Sequence, residues 1–436
     1  MTKRIIFGVI FMVVVAVLAS RGGFEVRESG PVRVVVLALD AGTWDLLDPF
    51  MARGLLPNLK KLRDGGASAT LMSIQPSSSP VIWTTVATGK MPDKHGIDFF
   101  VRFPDGDTGN PQPVSRTMRK TKAVWNILSE AGYDVAVVGW FVTWPAGEVN
   151  GRLITDRAHY GSIDKRAFPS FYAESIEIPR RDDMLADLPR FMDFEYDPKR
   201  VNPDSRDPTG LENFLVMDRF ERAYLRDLYY QRATDKVLDD GPLPDFLAVY
   251  LRGTDDVQHG FWKYMDPEPF GNIPDGSVDR FGRVIEAYWQ WVDEAVGDIL
   301  ARYGRNTLVF VVSDHGAGPA VGYHRVVADE HRHLSGSHRD RGILIASGPG
   351  IAHHTRLDAV SVRDLTPTIL YAMGLPVGRD MDGRPLTELF GGQSSARRVS
   401  YVASYDEEGE AVAPEPLASE ADPEILRHLR SLGYID

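Results

Sequence analysis

The feature that most constrains the fold is a series of short apolar runs of strand length that alternate with stretches of helical periodicity. The run Arg33–Leu39 is rich in β-branched residues and shows no polar alternation, which is typical of a parallel strand buried on both faces. The alternation predicts an α/β fold with a doubly wound, mostly parallel sheet and helices on both faces. Further strand candidates are Val135–Val138, Phe246–Leu251, Leu308–Val312 and Ile343–Ala346, and helix candidates are about 56–63, from Pro80, 123–130, 211–238, 278–302 and 362–373.

Two segments interrupt this rhythm. Residues 150–210 are rich in Pro, Asp and Arg and lack apolar periodicity, so we expect an insertion or cap that lies over the sheet edge. Residues 391–436 are expected to form an acidic linker and a short helix, with Asp422 as N-cap, Pro423 at the first helical position and Gly433 as the stop. The α/β domain would then span residues 33–390.

Composition excludes several classes of function. The 436 residues carry a formal charge of 49 − 61 = −12, which argues against binding of a nucleic-acid polymer. An acidic protein can still bind a phosphate ester where metal ions supply local positive charge. The chain has no cysteine, so disulfides, thiolate metal sites and cysteine nucleophiles are excluded.

The N-terminus has the features of an export signal. Lys3 and Arg4 precede the apolar run Ile5–Ala19, and Val17–Ala19 offers small residues for signal peptidase. The run is shorter than the roughly 20 residues of a comfortable membrane span. We therefore expect residues 1–19 to be a signal peptide of an exported, periplasmic or extracellular protein. An uncleaved membrane anchor is the alternative, and membrane contact is expected only in that case.

Polar residues follow two of the predicted strands. Asp40 comes directly after Leu39, and the pair Asp314-His315 closes the strand that ends at Val312. Open α/β sheets bind their ligands at the carboxyl ends of strands. Asp40 alone is more often a helix cap, whereas an Asp-His pair followed by glycine indicates a metal or catalytic site.

Asp255 and His259 are four residues apart, a spacing that places both side chains on one face of a helix. An aspartate and a neutral imidazole in that arrangement can bind one divalent ion. The alternative is an ordinary solvated helix N-terminus. Asp256 is the second choice as ligand because it is only three residues from His259.

Of the histidines that precede the strand at Ile343, His338 is the nearest and is best placed to reach a site at the sheet edge. His331 and His333 belong to the same histidine-rich stretch. A surface cluster is the alternative for this stretch and is expected to hold for at least one of the three.

Ser79 precedes Pro80, which favours Ser79 as N-cap and Pro80 as the first helical residue. In the structural interpretation the hydroxyl only caps a backbone N–H. In the functional interpretation the same hydroxyl faces the positive end of the helix dipole, where a phosphate binds. A divalent ion nearby would lower its pKa and make it a nucleophile.

The order of these elements resembles the type I phosphodiesterase/nucleotide pyrophosphatase family of the alkaline phosphatase superfamily. The resemblance spans about residues 33–390 and implies the fold of that superfamily. The matching pieces are Leu39–Gly42, Leu56–Leu59, Ser79–Thr84, Thr88–Gly89, His95–Ile97, Asp255–Trp262, Ser313–Gly316, Gly336–His338, Asp364–Thr368 and Met381–Gly383.

The resemblance implies a two-metal hydrolase of small phosphate esters, with phosphodiesters as the expected substrates and a phosphoseryl intermediate on Ser79. Zinc is favoured by the mixed His/Asp ligands, although manganese or iron fits the same set. The implied ligands are Asp255, His259 and His338 for one ion and Asp40, Asp314, His315 and the Ser79 hydroxyl for the other.

Two departures bear on the substrate. Phe100 stands where family members that act on nucleotide diesters often have an asparagine that holds a phosphate oxygen, so we expect Phe100 to contact an apolar ester group instead. The sulfatase motif Cys/Ser-x-Pro-x-Arg fails, because Ile82 stands in place of the arginine when the motif is started at Ser78. The alternatives are a phosphomonoesterase, a sulfatase, or a non-catalytic exported binding protein on the same fold.

Overall fold

The computed structural model describes residues 32–103, 110–202, 208–271, 273–320, 334–392, 397–406 and 417–435. The predicted signal segment and both His331 and His333 lie outside these residues. Among the described helices, none combines the length and apolarity that a membrane crossing requires.

A nine-stranded sheet forms the centre of residues 33–436. The spatial order is β9-β2-β8-β7-β1-β6-β3-β4-β5. The strands are β1 Arg33–Leu39, β2 Ala67–Met72, β3 Val135–Val138, β4 Gly151–Ile154, β5 Ala167–Phe168, β6 Phe246–Leu251, β7 Thr307–Val312, β8 Arg341–Ser347 and β9 Thr355–Ser361.

The sheet is mostly parallel, as predicted. Strand β1 pairs in parallel with β6 and β7, and the run continues through β3 and β4. Strand β8 is the main exception, because it runs antiparallel to both β2 and β7. Consecutive residues of β1, β6 and β7 point to opposite faces and nearly all are buried, so helices cover the sheet on both sides.

The helices fill the connections between strands. Residues 208–239 form one helical segment with a π-helical stretch at Val216–Glu221, which explains the long amphipathic pattern there. The α-helices are α1 Trp44–Ala52, α2 Pro57–Asp64, α3 Ser79–Thr88, α4 Pro92–His95, α5 Val124–Glu130, α6 Phe171–Ser175, α7 Arg181–Phe191, α8 Pro208–Leu215, α9 Arg222–Asp239, α10 Gly253–Met265, α11 Ser277–Phe281, α12 Val284–Arg302, α13 Leu365–Met373 and α14 Asp422–Ser431.

Two helix starts differ by one residue from the prediction. Helix α3 begins at Ser79 with Ser78 as N-cap, whose carbonyl accepts from Val81 and Ile82, so Pro80 is the second helical residue. Helix α14 likewise begins at Asp422, after Ala421 as N-cap. The physical reason is that the N–H groups of the first helical turn have no acceptor within the helix. Proline, which lacks an N–H, therefore fits the second helical position as well as the first.

The segment 150–210 also differs from the prediction, which placed it over the sheet edge. Its strands β4 and β5 pair with each other and extend the sheet beyond β3, so this part of the segment is itself the edge. Strand β4 is short and carries a buried arginine, Arg152, that pairs with Asp134. Because of this arginine the strand is not a continuous apolar run, and the sequence did not predict it. The remainder carries α6 and α7.

Candidate metal centre

Three adjacent strands deliver the predicted ligands to one edge of the sheet. Strands β7, β1 and β6 lie side by side and parallel, so their carboxyl ends meet at the same edge. Asp40 follows β1, Asp314 and His315 follow β7, and Asp255 lies on the first turn of α10, directly after β6. The three carboxylates are almost completely buried. This strand order therefore brings together residues that are far apart in sequence.

The chain turns sharply after β1. Ala41 has φ of +57°, a left-handed conformation that is costly for a residue with a side chain and is often found at functional sites. Two hydrogen bonds hold Asp40, the residue before this turn. Its carbonyl accepts from the Thr254 hydroxyl at 2.5 Å, and its carboxylate accepts from the Tyr250 hydroxyl. Tyr250 and Thr254 support Asp40 although the sequence analysis did not identify them.

His338 reaches the site on a short antiparallel hairpin, in which Gly336–Arg339 pairs with Gly316–Pro319. This hairpin packs closely on α10. A Cβ added at Gly336 would lie 2.3 Å from the carbonyl oxygen of Gln258, so only glycine fits there. The close packing brings His338 beside Asp255 and His259.

The first group of candidate ligands consists of Asp255, His259 and His338. The Oδ1 atom of Asp255 lies 3.2 Å from Nε2 of His259 and 3.4 Å from Nε2 of His338. The two Nε2 atoms are 3.1 Å apart. Two ligand atoms bound to one tetrahedral zinc at about 2.0–2.1 Å lie about 3.3–3.4 Å from each other. The spacing of these three atoms therefore fits a shared ion.

The second group consists of Asp40, Asp314 and His315. Nε2 of His315 lies 3.4 Å from Oδ1 of Asp40 and 3.5 Å from Oδ2 of Asp314. The imidazole rings of His315 and His338 stack with centroids 3.7 Å apart, which joins the two groups into one cluster. The ligand atoms of Asp255, His315 and His338 also lie within 4.8 Å of one another.

All three histidines are oriented in the same way by the backbone. Nδ1 of His259 donates to the Gly336 carbonyl at 2.9 Å, Nδ1 of His338 to the Ser77 carbonyl at 3.1 Å, and Nδ1 of His315 to the Gly316 carbonyl at 3.0 Å. A carbonyl can only accept, so Nδ1 carries the hydrogen in each ring. In a neutral ring this leaves the Nε2 lone pair for the cluster, which is the arrangement that metal-ligating histidines show.

The charges of the cluster call for a cation. Burial and repulsion by the Asp40 carboxylate raise the pKa of Asp314 well above its usual range. Burial would also raise the pKa of Asp255, but the contact with His259 holds it well below its usual range. Asp255 thus needs positive charge beside it, and a proton on His259 and a divalent ion would compete for that place.

Unpartnered buried atoms support the same conclusion. Within the described residues, no hydrogen-bond partner exists for Oδ1 of Asp40, Oδ2 of Asp255, either carboxylate oxygen of Asp314 or Nε2 of His315. Buried polar atoms are rarely left without a partner, because each costs about 1–3 kcal/mol. A divalent ion bound by nitrogen and oxygen ligands would satisfy these atoms, so the residues fit two metal ions.

Ser79 is the first residue of α3 and is buried. Its neighbour Ser77 provides the carbonyl that orients His338, which ties the start of α3 to the cluster. Asp256, the second choice as ligand, faces another direction: its carboxylate binds Arg226 at 2.6 Å and lies 3.5 Å from His428. Of the two aspartates, Asp255 is therefore the one that lies in the cluster with His259 and His338.

A cleft beside Ser79 is lined by aromatic and basic side chains. Phe100 lies in its wall, buried and stacked on Tyr434 with centroids 4.4 Å apart. Tyr434 follows α14, and its hydroxyl lies 3.2 Å from Nε2 of His338. Sequence analysis missed Tyr434 and the C-terminal helix as parts of the site. No local signal marks a residue whose partner is 96 positions away.

The comparisons with known proteins agree with this geometry. A family model described as "Type I phosphodiesterase / nucleotide pyrophosphatase" matches residues 34–368. A curated relative, "Sulfatase ppz1" of the fungus Metarhizium majus, is 35% identical over 117 residues. That match covers 25% of this chain and only 26% of the relative.

Two solved structures share the fold. A mutant of alkaline phosphatase PafA has a TM-score of 0.51 at 14% identity, covering 84% of this chain and 100% of that one. BT1596, described as a 2-O GAG sulfatase, also has a TM-score of 0.51 at 14% identity, covering 82% of this chain and 74% of that one. The predicted alkaline phosphatase-like α/β fold is thereby confirmed.

Proposed function

The chain belongs to the type I phosphodiesterase/nucleotide pyrophosphatase family, and on that premise we propose that it hydrolyses phosphodiesters through a phosphoseryl intermediate on Ser79. The observation that carries the proposal is the convergence of the six Asp and His side chains beside the start of α3. They are Asp40, Asp255, His259, Asp314, His315 and His338.

In this proposal Asp255, His259 and His338 would hold one divalent ion, and Asp40, Asp314 and His315 the other. The bound ions would supply positive charge that polarises the phosphate and lowers the pKa of a nearby hydroxyl. Zinc is the ion that best suits mixed imidazole and carboxylate ligands, with manganese and iron as alternatives.

In the proposed reaction the residues of the chain would supply the nucleophile, bind the phosphate and position the ligands. The Ser79 oxygen attacks phosphorus, the ester oxygen leaves with its alcohol, and water then breaks the bond between Ser79 and phosphorus. The N-terminal end of α3 carries a partial positive charge that favours the phosphate beside Ser79. Tyr250 and Thr254 keep Asp40 in place by hydrogen bonds to its carboxylate and carbonyl.

The decisive experiment compares Ser79→Ala with Ser78→Ala, using metal-loaded protein and bis(4-nitrophenyl) phosphate. Ser79→Ala should lower kcat by at least about 10³-fold, equivalent to about 4 kcal/mol of transition-state free energy. Ser78→Ala is the matched control, because its side chain caps no backbone N–H. Phosphate trapped on a peptide that contains Ser79 would identify the intermediate by mass spectrometry.

Either of two results would contradict the proposal. One is loss of activity in Ser78→Ala with normal activity in Ser79→Ala. The other is full activity after a chelator has removed the metal. Elemental analysis measures the metal content, which should be about two ions per chain before chelation. Both variants should keep the melting temperature of the parent within a few degrees.

The preference for diesters is proposed because Phe100 contributes an apolar surface to the cleft and no hydrogen bond to a phosphate oxygen. The ratio of kcat/KM for a bis-aryl phosphate to that for the matching monophosphate measures it. A tenfold preference for the monoester would overturn the assignment as a diesterase.

A sulfatase is disfavoured because Ile82 and Trp83 occupy the two positions at which the motif arginine would stand, and both are apolar and fully buried. We therefore expect no hydrolysis of 4-nitrophenyl sulfate.

A further inference from the structure

The cleft beside Ser79 has a basic wall that the proposed chemistry at the metal ligands does not use. The cleft is open to solvent on one side, and its lining combines aromatic rings with arginine side chains. Pro80, Tyr250, Phe100 and Phe141 line the cleft, and Tyr250 also donates a hydrogen bond to the candidate ligand Asp40. Three arginines line it as well, namely Arg157, Arg226 and Arg252.

Arg157 and Arg226 are neutralised by neighbouring groups of the protein. Arg157 pairs with Asp422 at 2.9 Å and donates to the carbonyls of Pro113 and Val114. Arg226 binds Asp256 at 2.6 Å. Both guanidinium groups therefore have a structural role already, and neither needs a ligand.

Arg252 is different. It is 9% exposed, and its nearest carboxylate, that of Asp256, is 4.0 Å away and already binds Arg226. Neither Nε nor the NH2 nitrogen has a hydrogen-bond partner within the part of the chain that the structure describes. These two nitrogens form the edge of a guanidinium that binds carboxylates and phosphates with two parallel hydrogen bonds.

Apart from Asp256, no carboxylate of the described residues lies within 4.0 Å of the Arg252 guanidinium. Asp156 accepts from the backbone N–H groups of Val142, Thr143 and Trp144, which occupy its oxygens. Burial lowers the pKa of His428 to about 4, so this residue is neutral at pH 7. The ring of Phe141 lies 5.3 Å from the guanidinium carbon of Arg252. A buried guanidinium in such an environment costs free energy unless an anion pairs with it.

We propose that Arg252 binds an anionic group of the substrate, a carboxylate or a second phosphate, which lies beyond the phosphate attacked by Ser79. The inference rests on the proposed function and narrows it to phosphodiesters that carry an additional anion on one ester group. Phe100 and Phe141 would contact the apolar part between the two charges. Arg252 is then a specificity-determining residue.

Equilibrium binding to zinc-loaded Ser79→Ala protein tests this inference without turnover. The ligands are diphenyl phosphate, the same compound with a 4-carboxylate on one ring, and the same compound with a 4-phosphate. The two compounds with an additional anion should bind at least about tenfold more tightly than diphenyl phosphate. The ratio between them shows which anion Arg252 prefers.

Adding Arg252→Met should reduce the affinity ratio between anionic and neutral ligands to near one. Arg252→Lys, which keeps the charge next to Asp256 and protects the fold, should give an intermediate ratio because lysine lacks the two-nitrogen edge. Arg190→Met is the matched control, since Arg190 pairs with Glu294 and is half-exposed outside the cleft. It should leave the ratio unchanged.

The possible failures are distinguishable. Equal affinity for all three ligands, or a ratio that persists in Arg252→Met, would overturn the inference and leave the proposed hydrolase intact. Equal weakening of all three ligands by Arg252→Met would also overturn it, because Arg252 would then contact the attacked phosphate. Failure of every ligand to bind and of every diester to be hydrolysed would overturn both proposals.

Discussion

Two adjacent aspartates on α10 face opposite chemical environments. Asp255 faces imidazoles and other carboxylates, whereas Asp256 faces the guanidinium groups of Arg226 and Arg252. Asp256 is neutralised by cations of the protein itself. The carboxylates around Asp255 have no arginine or lysine among their described contacts. The chain therefore supplies positive charge to Asp256 through arginine side chains, whereas in our proposal a bound ion supplies it to Asp255.

The two regions are also complementary in charge. The candidate metal centre has an excess of carboxylates, and the neighbouring cleft has Arg252, whose Nε and NH2 nitrogens have no hydrogen-bond partner among the described residues. In the two proposals above, a phosphate would lie between ions held by the first region and a wall formed by the second. The functional distinction between the two aspartates can be tested directly.

The largest effect is expected for Asp255→Asn. An amide lacks the negative charge with which Asp255 would bind an ion together with His259 and His338. The metal content should therefore fall from about two ions per chain toward one. Turnover of a diester should fall by about 10⁴-fold, equivalent to about 5.5 kcal/mol. Elemental analysis and initial rates measure both. Unchanged metal content and activity would show that Asp255 is not a ligand.

Asp256→Asn should affect stability instead. It removes the partner of Arg226 in a buried environment, which typically costs about 3–5 kcal/mol of unfolding free energy. Urea unfolding of the two aspartate variants, side by side, measures the difference. Metal content should stay at the parental value in Asp256→Asn. Loss of metal in this variant without a change in stability would contradict the distinction between the two residues.

The smallest effect is expected for Tyr434→Phe. The Tyr434 hydroxyl lies 3.2 Å from the Nε2 atom of His338 that would bind a metal ion, so hydroxyl and ion compete for one lone pair. Removing a hydrogen bond worth about 1 kcal/mol should tighten metal binding about fivefold. A competition titration with a chromogenic chelator measures it, with exposed Tyr401→Phe as control. Weaker binding would instead indicate that Tyr434 supports His338.

The sequence predicted the central part of the sheet well because parallel strands covered on both faces must be apolar throughout. The predicted strands at Arg33, Val135 and Phe246 agree with the structure at both ends, and the one at Leu308 agrees to within one residue. The edge strands β4 and β5 were not predicted. β4 is short and contains Arg152, β5 has only two residues, and their pairing depends on the neighbouring strand rather than on their own composition.

The arrangement of the candidate ligands was predictable to the extent that strand ends and helical spacing determine it. Asp40, Asp314 and His315 follow strands, and Asp255 and His259 share one face of a helix, so their approximate convergence follows from local pattern and parallel order. Their assignment as ligands came from the family resemblance.

The sequence by itself therefore determined which strands lie at the centre and which polar residues follow them, since backbone geometry and hydrophobic burial act over a few residues. Tertiary structure alone decided which residues surround the cleft. Tyr434 contacts His338, and Arg219 donates to the Ser431 carbonyl at 2.6 Å, so the C-terminal segment is part of the site. These contacts join positions more than 90 residues apart, and no periodicity or local propensity encodes them, because they exist only once the separate elements have packed.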